Sequence, residues 1–198
     1  MDRLLDYARV LSRVGAWFGG GLLIIAAFVI GVDVVIRKLF NLTIGGADEL
    51  SGYALAIGSA WSFAFALGER AHVRIDSLYA VLPTRLCAIL DILGLSILVL
   101  FFAMVTYFGY GVLGNTIAFD AHSMSPIATP LIYPQSLWVA GLSLFVAVAA
   151  LLLIRACVAF VTGDIATVRR LVGSRSATQE IEQELKGAEA RRRMESGG

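Results

Sequence analysis

Six ionisable residues are the candidates for a chemical or binding role. Each of them borders or interrupts a long apolar stretch of the chain. They are Asp33, Glu49, Arg70, His72, Arg74 and Asp76. Asp33 and Arg37 are four residues apart and would share one face of a helix. A carboxylate at membrane depth could bind a coupling ion or a proton, or it could pair with Arg37 or a partner protein. Pairing is the simpler interpretation, because a single carboxylate near a helix end can reach water or a cation.

Two acidic residues open the second apolar stretch. Asp48 and Glu49 follow Gly45 and Gly46, a glycine pair that breaks the preceding helix. Negative charge in a first turn complements the free N–H groups of the helix. This explanation suffices for Asp48, whereas Glu49 could also contact a partner.

A charged segment and a short amphipathic stretch follow that apolar stretch. The segment reads Glu69-Arg70-Ala71-His72-Val73-Arg74-Ile75-Asp76. Ile75, Leu78, Tyr79 and Leu82 recur with the spacing of one helical stripe. About a dozen residues are too few to span a bilayer. The pattern predicts an amphipathic helix over about 71–82 that lies in the membrane interface and ends at Pro83.

The composition is that of a membrane protein. Of 198 residues, 58% are hydrophobic and only 16% are charged, and the mean hydropathy is +0.80. Four charge-free runs are each long enough for one crossing, which takes about 20 apolar residues. In the fourth run, Pro126, Pro130 and Pro134 prevent a regular helix before about Gln135.

The sequence therefore predicts an all-α integral membrane protein with four transmembrane helices and the interfacial helix between spans two and three. The spans run over about 14–36, 50–68, 88–111 and 135–162, in a membrane domain of residues 1–162 followed by a polar cytoplasmic tail, 163–198. The tail is expected to contain a short helix. In the first span, Gly15 and Gly19 have the small-xxx-small spacing that lets helices approach closely.

Basic residues predict the orientation. Arginines and lysines gather in the N-terminal segment, the loop between spans two and three, and the tail. Because basic loops stay in the cytoplasm, we expect both termini inside. Arg37 and Lys38 in the first loop are the one contrary signal. The first apolar run is too long for a cleaved signal peptide, so we interpret it as a permanent anchor.

The residues favour neither an enzyme nor a cofactor or metal protein. The sequence contains no P-loop pattern, no G-x-G-x-x-G that follows a strand, and no catalytic Ser-His-Asp signature. His72 and His122 lie outside the spans, so they cannot hold a haem between helices. Cys87 and Cys157 form no ligand cluster, and a basic groove for nucleic acid is missing. Mid-span positions are apolar, aromatic, small or hydroxyl, which is unlike a transport path.

Three segments, in this order relative to four spans, carry a family resemblance. They are Ala47 to Tyr53, Leu67 to Asp76, and Leu82-Pro83. Together they resemble the small membrane subunit of tripartite ATP-independent periplasmic (TRAP) transporters, the DctQ family. In that family the second span opens on an acidic residue before a Tyr and ends in a basic-His-x-Arg-hydrophobic-Asp motif ahead of Leu-Pro. The entry to span four, with Pro134 and Trp138, also fits, and the resemblance covers about 14–162.

The resemblance implies a small permease subunit in the bacterial inner membrane. Such a subunit braces a large, DctM-type membrane subunit of a sodium-driven symporter. The transporter takes up an organic acid, such as a dicarboxylate or sialic acid, which a periplasmic substrate-binding protein delivers. Glu49 and the motif residues of 70–76 would then be structural or interface groups and not substrate ligands.

Two other functions remain as alternatives. An independent small channel or carrier, acting as an oligomer, would make Asp33 essential. A membrane enzyme would need a reactive group of residues in one span or loop, which the sequence does not contain.

Overall fold

The computed structural model describes residues 2–43, 45–69 and 82–172. These residues form five α-helices: α1 (Asp2–Phe40), α2 (Ala47–Gly68), α3 (Thr84–Phe119), α4 (Ile132–Val161) and α5 (Ile165–Val172). Val10–Phe40 of α1 and the whole of α2, α3 and α4 are long and apolar enough to cross a membrane. The all-α prediction with four membrane-spanning helices is thereby confirmed.

Helices α3 and α4 extend further into the third loop than the sequence predicts. α3 continues beyond residue 111 to Phe119. The next residue, Asp120, caps the helix with a left-handed φ of 47°. α4 begins at Ile132, earlier than Gln135, so that Pro134 lies in its first turn. A proline is tolerated there because the first N–H groups of a helix have no intrahelical partner. The third loop is therefore the segment 120–131.

Helix α4 lies at the centre of the packing. Helices α2 and α3 both pack against it, and α1 lies along α2 with a minor contact to α4. The rings of Phe63 (α2), Phe102 (α3) and Phe145 (α4) meet edge to face, with centroids 4.6 to 5.9 Å apart. Aromatic pairs prefer this geometry, and each adds about 1 kcal/mol to the burial of its rings. One aromatic cluster thus joins three helices.

Glycines bring α1 and α2 into backbone contact. A Cβ atom on Gly19 would lie 2.5 Å from the carbonyl oxygen of Gly58, and a Cβ on Gly58 would lie 2.9 Å from that of Gly19. One turn earlier, Gly15 lies against the backbone of Trp61. Small residues favour such contacts in membranes, where apolar surface alone does not hold helices together. The close approach predicted from Gly15 and Gly19 is confirmed.

Helix α5 folds back against the ends of α3 and α4. Val168 is fully buried and clusters with Ala88 of α3 and Ala159 of α4. Asp164 caps the helix: its Oδ1 accepts the Thr167 N–H at 2.9 Å and its Oδ2 accepts the Thr167 hydroxyl at 2.5 Å. The hydroxyl bond, followed by the N–H bond, lowers the pKa of the Asp164 carboxyl. An isolated eight-residue helix would be marginal, so cap and packing together hold it in place.

Two predicted features fall outside the described residues. The interfacial helix predicted over 71–82 lies almost entirely within 70–81, and most of the tail lies in 173–198. Both remain predictions, as do the boundary between membrane domain and tail and the orientation in the membrane.

Replacing Gly19 with Ala should destabilise the α1–α2 contact by about 1–3 kcal/mol, because the added Cβ must displace the Gly58 backbone. Gly20→Ala is the matched control, since a Cβ there meets nothing within 4 Å. Both changes gain the same helix propensity. Thermal unfolding in mild detergent measures the difference, and equal stability of the two variants would contradict the close approach.

The cap of α5 should be lost in acid. Because the folded pKa of Asp164 is lowered, its contribution is present above the unfolded pKa of about 3.9 and disappears as the pH falls through the folded pKa. Amide exchange in α5, corrected for intrinsic rates, should therefore increase below about pH 4. Asp164→Asn keeps a capping oxygen that does not titrate, so its exchange should not respond to acid. An identical response of wild type and Asp164→Asn would refute this role.

Candidate functional site

Two of the six candidate residues, Asp33 and Glu49, lie at one end of the structure, here named the two-loop end. The first loop (41–46) and the third loop (120–131) meet there. A Cβ atom on Gly45 would lie 3.5 Å from the Cβ of Pro126. The α1–α2 hairpin and the α3–α4 hairpin are thus in contact through their connecting loops.

Gly46 makes this contact possible. Its φ is 98°, which side chains rarely allow, and a Cβ there would lie 2.2 Å from the Cδ1 of Ile127. Gly46 also begins α2, since its carbonyl accepts the N–H of Leu50 at 3.0 Å. A larger residue at this position would push the third loop away from the start of α2.

Asp33 ties the first loop back to α1. The carboxylate is almost fully buried; its Oδ2 pairs with Nη2 of Arg37, and its Oδ1 accepts the Thr43 hydroxyl at 2.9 Å. A buried carboxylate is tolerated when a cation and further hydrogen bonds compensate its lost hydration. The Arg37 side chain is half exposed, so the pair reaches the surface. The structure places Asp33 in the pairing arrangement that its spacing to Arg37 indicates.

Glu49 faces the third loop from the first turn of α2. The Tyr53 hydroxyl, one turn along the helix, donates to Oε1 at 2.5 Å. Hydroxyl groups of Ser125, Ser123 and Thr129 are close to the same carboxylate. Glu49 Oε2 and Thr129 Oγ1 are buried, and neither meets full hydrogen-bond geometry with any described residue. Glu49, a candidate structural or interface group, is directed toward this chain's own third loop.

The third loop folds as a closed arch. The Ser123 N–H donates to the Thr129 carbonyl at 2.9 Å, and the Leu131 N–H donates to the Ala121 carbonyl at 3.1 Å. These bonds bring both arms of the loop together, so Ser123 and Thr129 lie on the same side as Glu49. A loop that satisfies its own backbone groups needs little support from water.

Trp61 connects three helices further along α2. Its Nε1 donates to the Leu137 carbonyl of α4 at 2.9 Å, and its ring meets Phe18 of α1 edge to face at 5.6 Å. Gly141 of α4 leaves space for the indole, because a Cβ there would lie 2.7 Å from its Cδ1. The sequence did not single out Trp61. A tryptophan in an apolar span looks like ordinary core until the opposing glycine is known.

The remaining candidate residues lie outside the described part of the chain. Arg70, His72, Arg74 and Asp76 fall in the segment 70–81. Glu69, which precedes them, ends α2 and donates its N–H to the Phe65 carbonyl at 3.0 Å. The role of the four candidate residues in 70–81 as structural or interface groups therefore stays a prediction.

The described groups join structural elements and do not form a reactive centre. Among the described residues, no three His, Cys, Asp or Glu side chains are placed to hold a metal ion. Thr43, Ser123, Ser125 and Thr129 complete the two-loop end, and sequence reasoning missed all four. Loop hydroxyls are too common to be selected without knowing which carboxylate they face.

Comparison with known proteins identifies one family. The family model for the DctQ component of tripartite ATP-independent periplasmic transporters matches residues 16–159. The match covers α2 and α3 completely, together with most of α1 and α4, and it ends before α5. No curated protein and no solved structure matches the chain.

Replacing Arg37 with Ala should lower the free energy of unfolding by about 1–3 kcal/mol, because buried Asp33 loses a charged donor. Lys38→Ala is the control, since it removes an equal charge from the neighbouring residue, and surface changes usually cost within about 0.5 kcal/mol. Unfolding in mild detergent measures both variants. If Arg37→Ala and Lys38→Ala had the same small effect, the Asp33 pair would not contribute to stability.

Proposed function

The chain belongs to the DctQ family of TRAP transporter components, and on this premise we propose that it braces the large membrane subunit of its transporter. As a DctQ component it is the small membrane subunit of a transporter and not an enzyme. The proposal adds the mechanical role: a rigid helical unit that holds a moving partner in place. That partner is a large, DctM-type subunit, which carries the substrate.

The apolar packing between the helices is the observation that supports the brace proposal. Between the helices, the buried positions of α2 and α4 are occupied by apolar residues such as Ala60, Ala64, Phe145 and Ala149. The buried carboxylates Asp33 of α1 and Asp91 of α3 both lie nearer to an end than to the middle of their helices, and Asp33 is paired with Arg37. Transport paths need polar sites near mid-membrane. The apolar packing of the described helices therefore favours a supporting role.

The outward surface supplies area for a membrane partner. Large apolar side chains on α1 and α3 are exposed, among them Trp17 (79%), Phe28 (73%), Leu100 (73%) and Tyr107 (74%). In a bilayer this surface faces lipid or another membrane protein. A brace needs such a surface on a frame that does not itself change shape, and the close glycine contacts and the Trp61 hydrogen bond support this part of the proposal.

We further propose that both termini lie in the cytoplasm of a bacterial cell and that the two-loop end faces the periplasm. The support is the distribution of arginine and lysine, which favours this orientation despite Arg37 and Lys38. Arg37 and Lys38 argue against this orientation, but Asp33 neutralises the charge of Arg37. Of these two basic residues, Lys38 then contributes the remaining positive charge. A periplasmic substrate-binding protein would approach from the two-loop side.

From the family resemblance we also propose that a sodium gradient drives the transporter and that its substrate is an organic acid. Both belong to the large subunit and the binding protein in this scheme, so this chain needs no substrate ligand. Arg70, His72, Arg74 and Asp76 are proposed to contact the large subunit at the cytoplasmic side. Charges at a membrane border cost least when they are paired, and a partner surface supplies such pairs.

Co-purification from native cells tests the brace directly. Tagged chain, extracted in mild detergent, should carry a large polytopic membrane protein in about equal amount, and liposomes should transport an organic acid only when both subunits and the binding protein are present. A chain that elutes alone in several detergents and moves a solute by itself would establish the alternative, an oligomeric channel or carrier.

Charge variants at the cytoplasmic motif refine the test. Arg74→Ala and Asp76→Ala should reduce the yield of the large subunit, while the amount of inserted chain stays unchanged. Lys38→Ala, in the last turn of α1, is the control. Normal complex yield with both motif changes would remove these residues from the interface.

A further inference from the structure

Glu49 faces the third loop with a set of donors that suits an ionised carboxylate. We propose that the charge of Glu49 is the template around which the third loop closes, so that this residue latches the α3–α4 hairpin onto the α1–α2 hairpin. The latch acts within this chain and is independent of the brace role or of any partner. It is a positioning function, since Glu49 holds a loop in one conformation.

The serine side chains of the loop are already oriented by its backbone. The Ser125 N–H donates to Ser123 Oγ at 3.2 Å, and the Ile127 N–H donates to Ser125 Oγ at 3.3 Å. Each serine oxygen therefore accepts a bond from the backbone, which leaves its own hydroxyl hydrogen free to rotate toward an acceptor. An ionised carboxylate is an acceptor only, and Glu49 is the carboxylate near these two serines.

One oxygen of Glu49 and the hydroxyl of Thr129 also complement each other as acceptor and donor. Glu49 Oε2 is a buried acceptor and Thr129 Oγ1 a buried hydroxyl, and both lack full hydrogen-bond geometry here. A small rotation or shift of the threonine closes a bond between them, and such a bond to a charged oxygen is about twice as strong as a neutral one. With Tyr53 already bonded to Oε1, four hydroxyl groups can serve one carboxylate.

Shape and charge contribute separately to the contact. Gly45 against Pro126, and Gly46 against Ile127, provide the fit between the two loops whatever the charge at residue 49. Glu49→Gln preserves size and shape but replaces one acceptor oxygen with an NH₂ donor, which repels a hydroxyl donor. The variant therefore distinguishes a charged template from a merely well-packed side chain.

Hydrogen exchange of the third-loop amides, in the full-length chain purified in mild detergent with any partner it carries, measures the latch. Exchange at Ser123, whose N–H binds Thr129, and at Leu131 scales with the fraction of open loop. Glu49→Gln should accelerate it by roughly five- to thirty-fold, the change expected from losing charge-assisted bonds. Exchange in the core of α4 should stay unchanged.

Asp48→Asn is the matched control, because Asp48 is an exposed carboxylate in the same first turn of α2. It should leave loop exchange unchanged. Wild-type exchange in Glu49→Gln would overturn the proposal, as would equal acceleration by Asp48→Asn, which would indicate a general effect of charge at the helix start. Should Glu49→Gln fail to fold, Ser125→Ala and Tyr53→Phe remove single donors, and unchanged loop exchange in both would also overturn it.

A crosslink separates loop opening from other damage. The Cβ distance of 3.5 Å between residues 45 and 126 suits a disulfide, so Gly45→Cys with Pro126→Cys can fix the loops together. The native thiols of Cys87 and Cys157 are first changed to Ala, so that only the new pair can be oxidised. Oxidation of this pair in the Glu49→Gln background should restore slow exchange. Persistent fast exchange in the crosslinked protein would show that Glu49 does not act through the loops.

Discussion

The contact of Trp61 with helices on both sides is the constraint on which the arrangement depends. Within a bilayer, apolar side chains gain little by leaving lipid for protein, so helices associate through close packing and hydrogen bonds. Trp61 supplies both, since its indole packs beside Phe18 and against the space left by Gly141, and its N–H reaches the Leu137 carbonyl. A larger residue at position 141 would collide with the indole, so α4 could not lie this close to α2 without a shift of Trp61.

The two buried or half-buried carboxylates at the two-loop end illustrate two solutions to a common problem. A charge near hydrocarbon must find compensation, either from an opposite charge or from several hydrogen-bond donors. Asp33 uses the first route with Arg37, and Glu49 uses hydroxyl groups gathered from its own helix and from the third loop. Both solutions tie a loop to a helix, which makes this end of the chain a defined surface.

The sequence was sufficient for the parts of the structure that depend on local pattern. Charge-free runs identified four helices, and the spacing of Gly15 and Gly19 indicated that the first span can approach another helix closely, because both signals lie in short stretches of the chain. The spacing did not indicate that the partner would be α2. Pro134 misled the placement of the α4 start, since a proline breaks a helix interior but is tolerated in a first turn. Apart from Tyr53, the hydroxyl groups around Glu49 belong to the third loop, far along the sequence, and no local pattern connects them to Glu49. Trp61 was overlooked for the same reason.

The unequal sharing of contacts among the helices has a consequence for biosynthesis. α1 lies along α2 and barely touches α4, so the backbone contact between Gly19 and Gly58 requires only the first hairpin. That hairpin can pack as soon as the ribosome has delivered it to the membrane, before α3 and α4 have been translated. Helices that are stable alone and associate afterwards follow the same sequence of events. In the proposed latch, closure of the third loop over Glu49 requires both hairpins and therefore comes after their insertion.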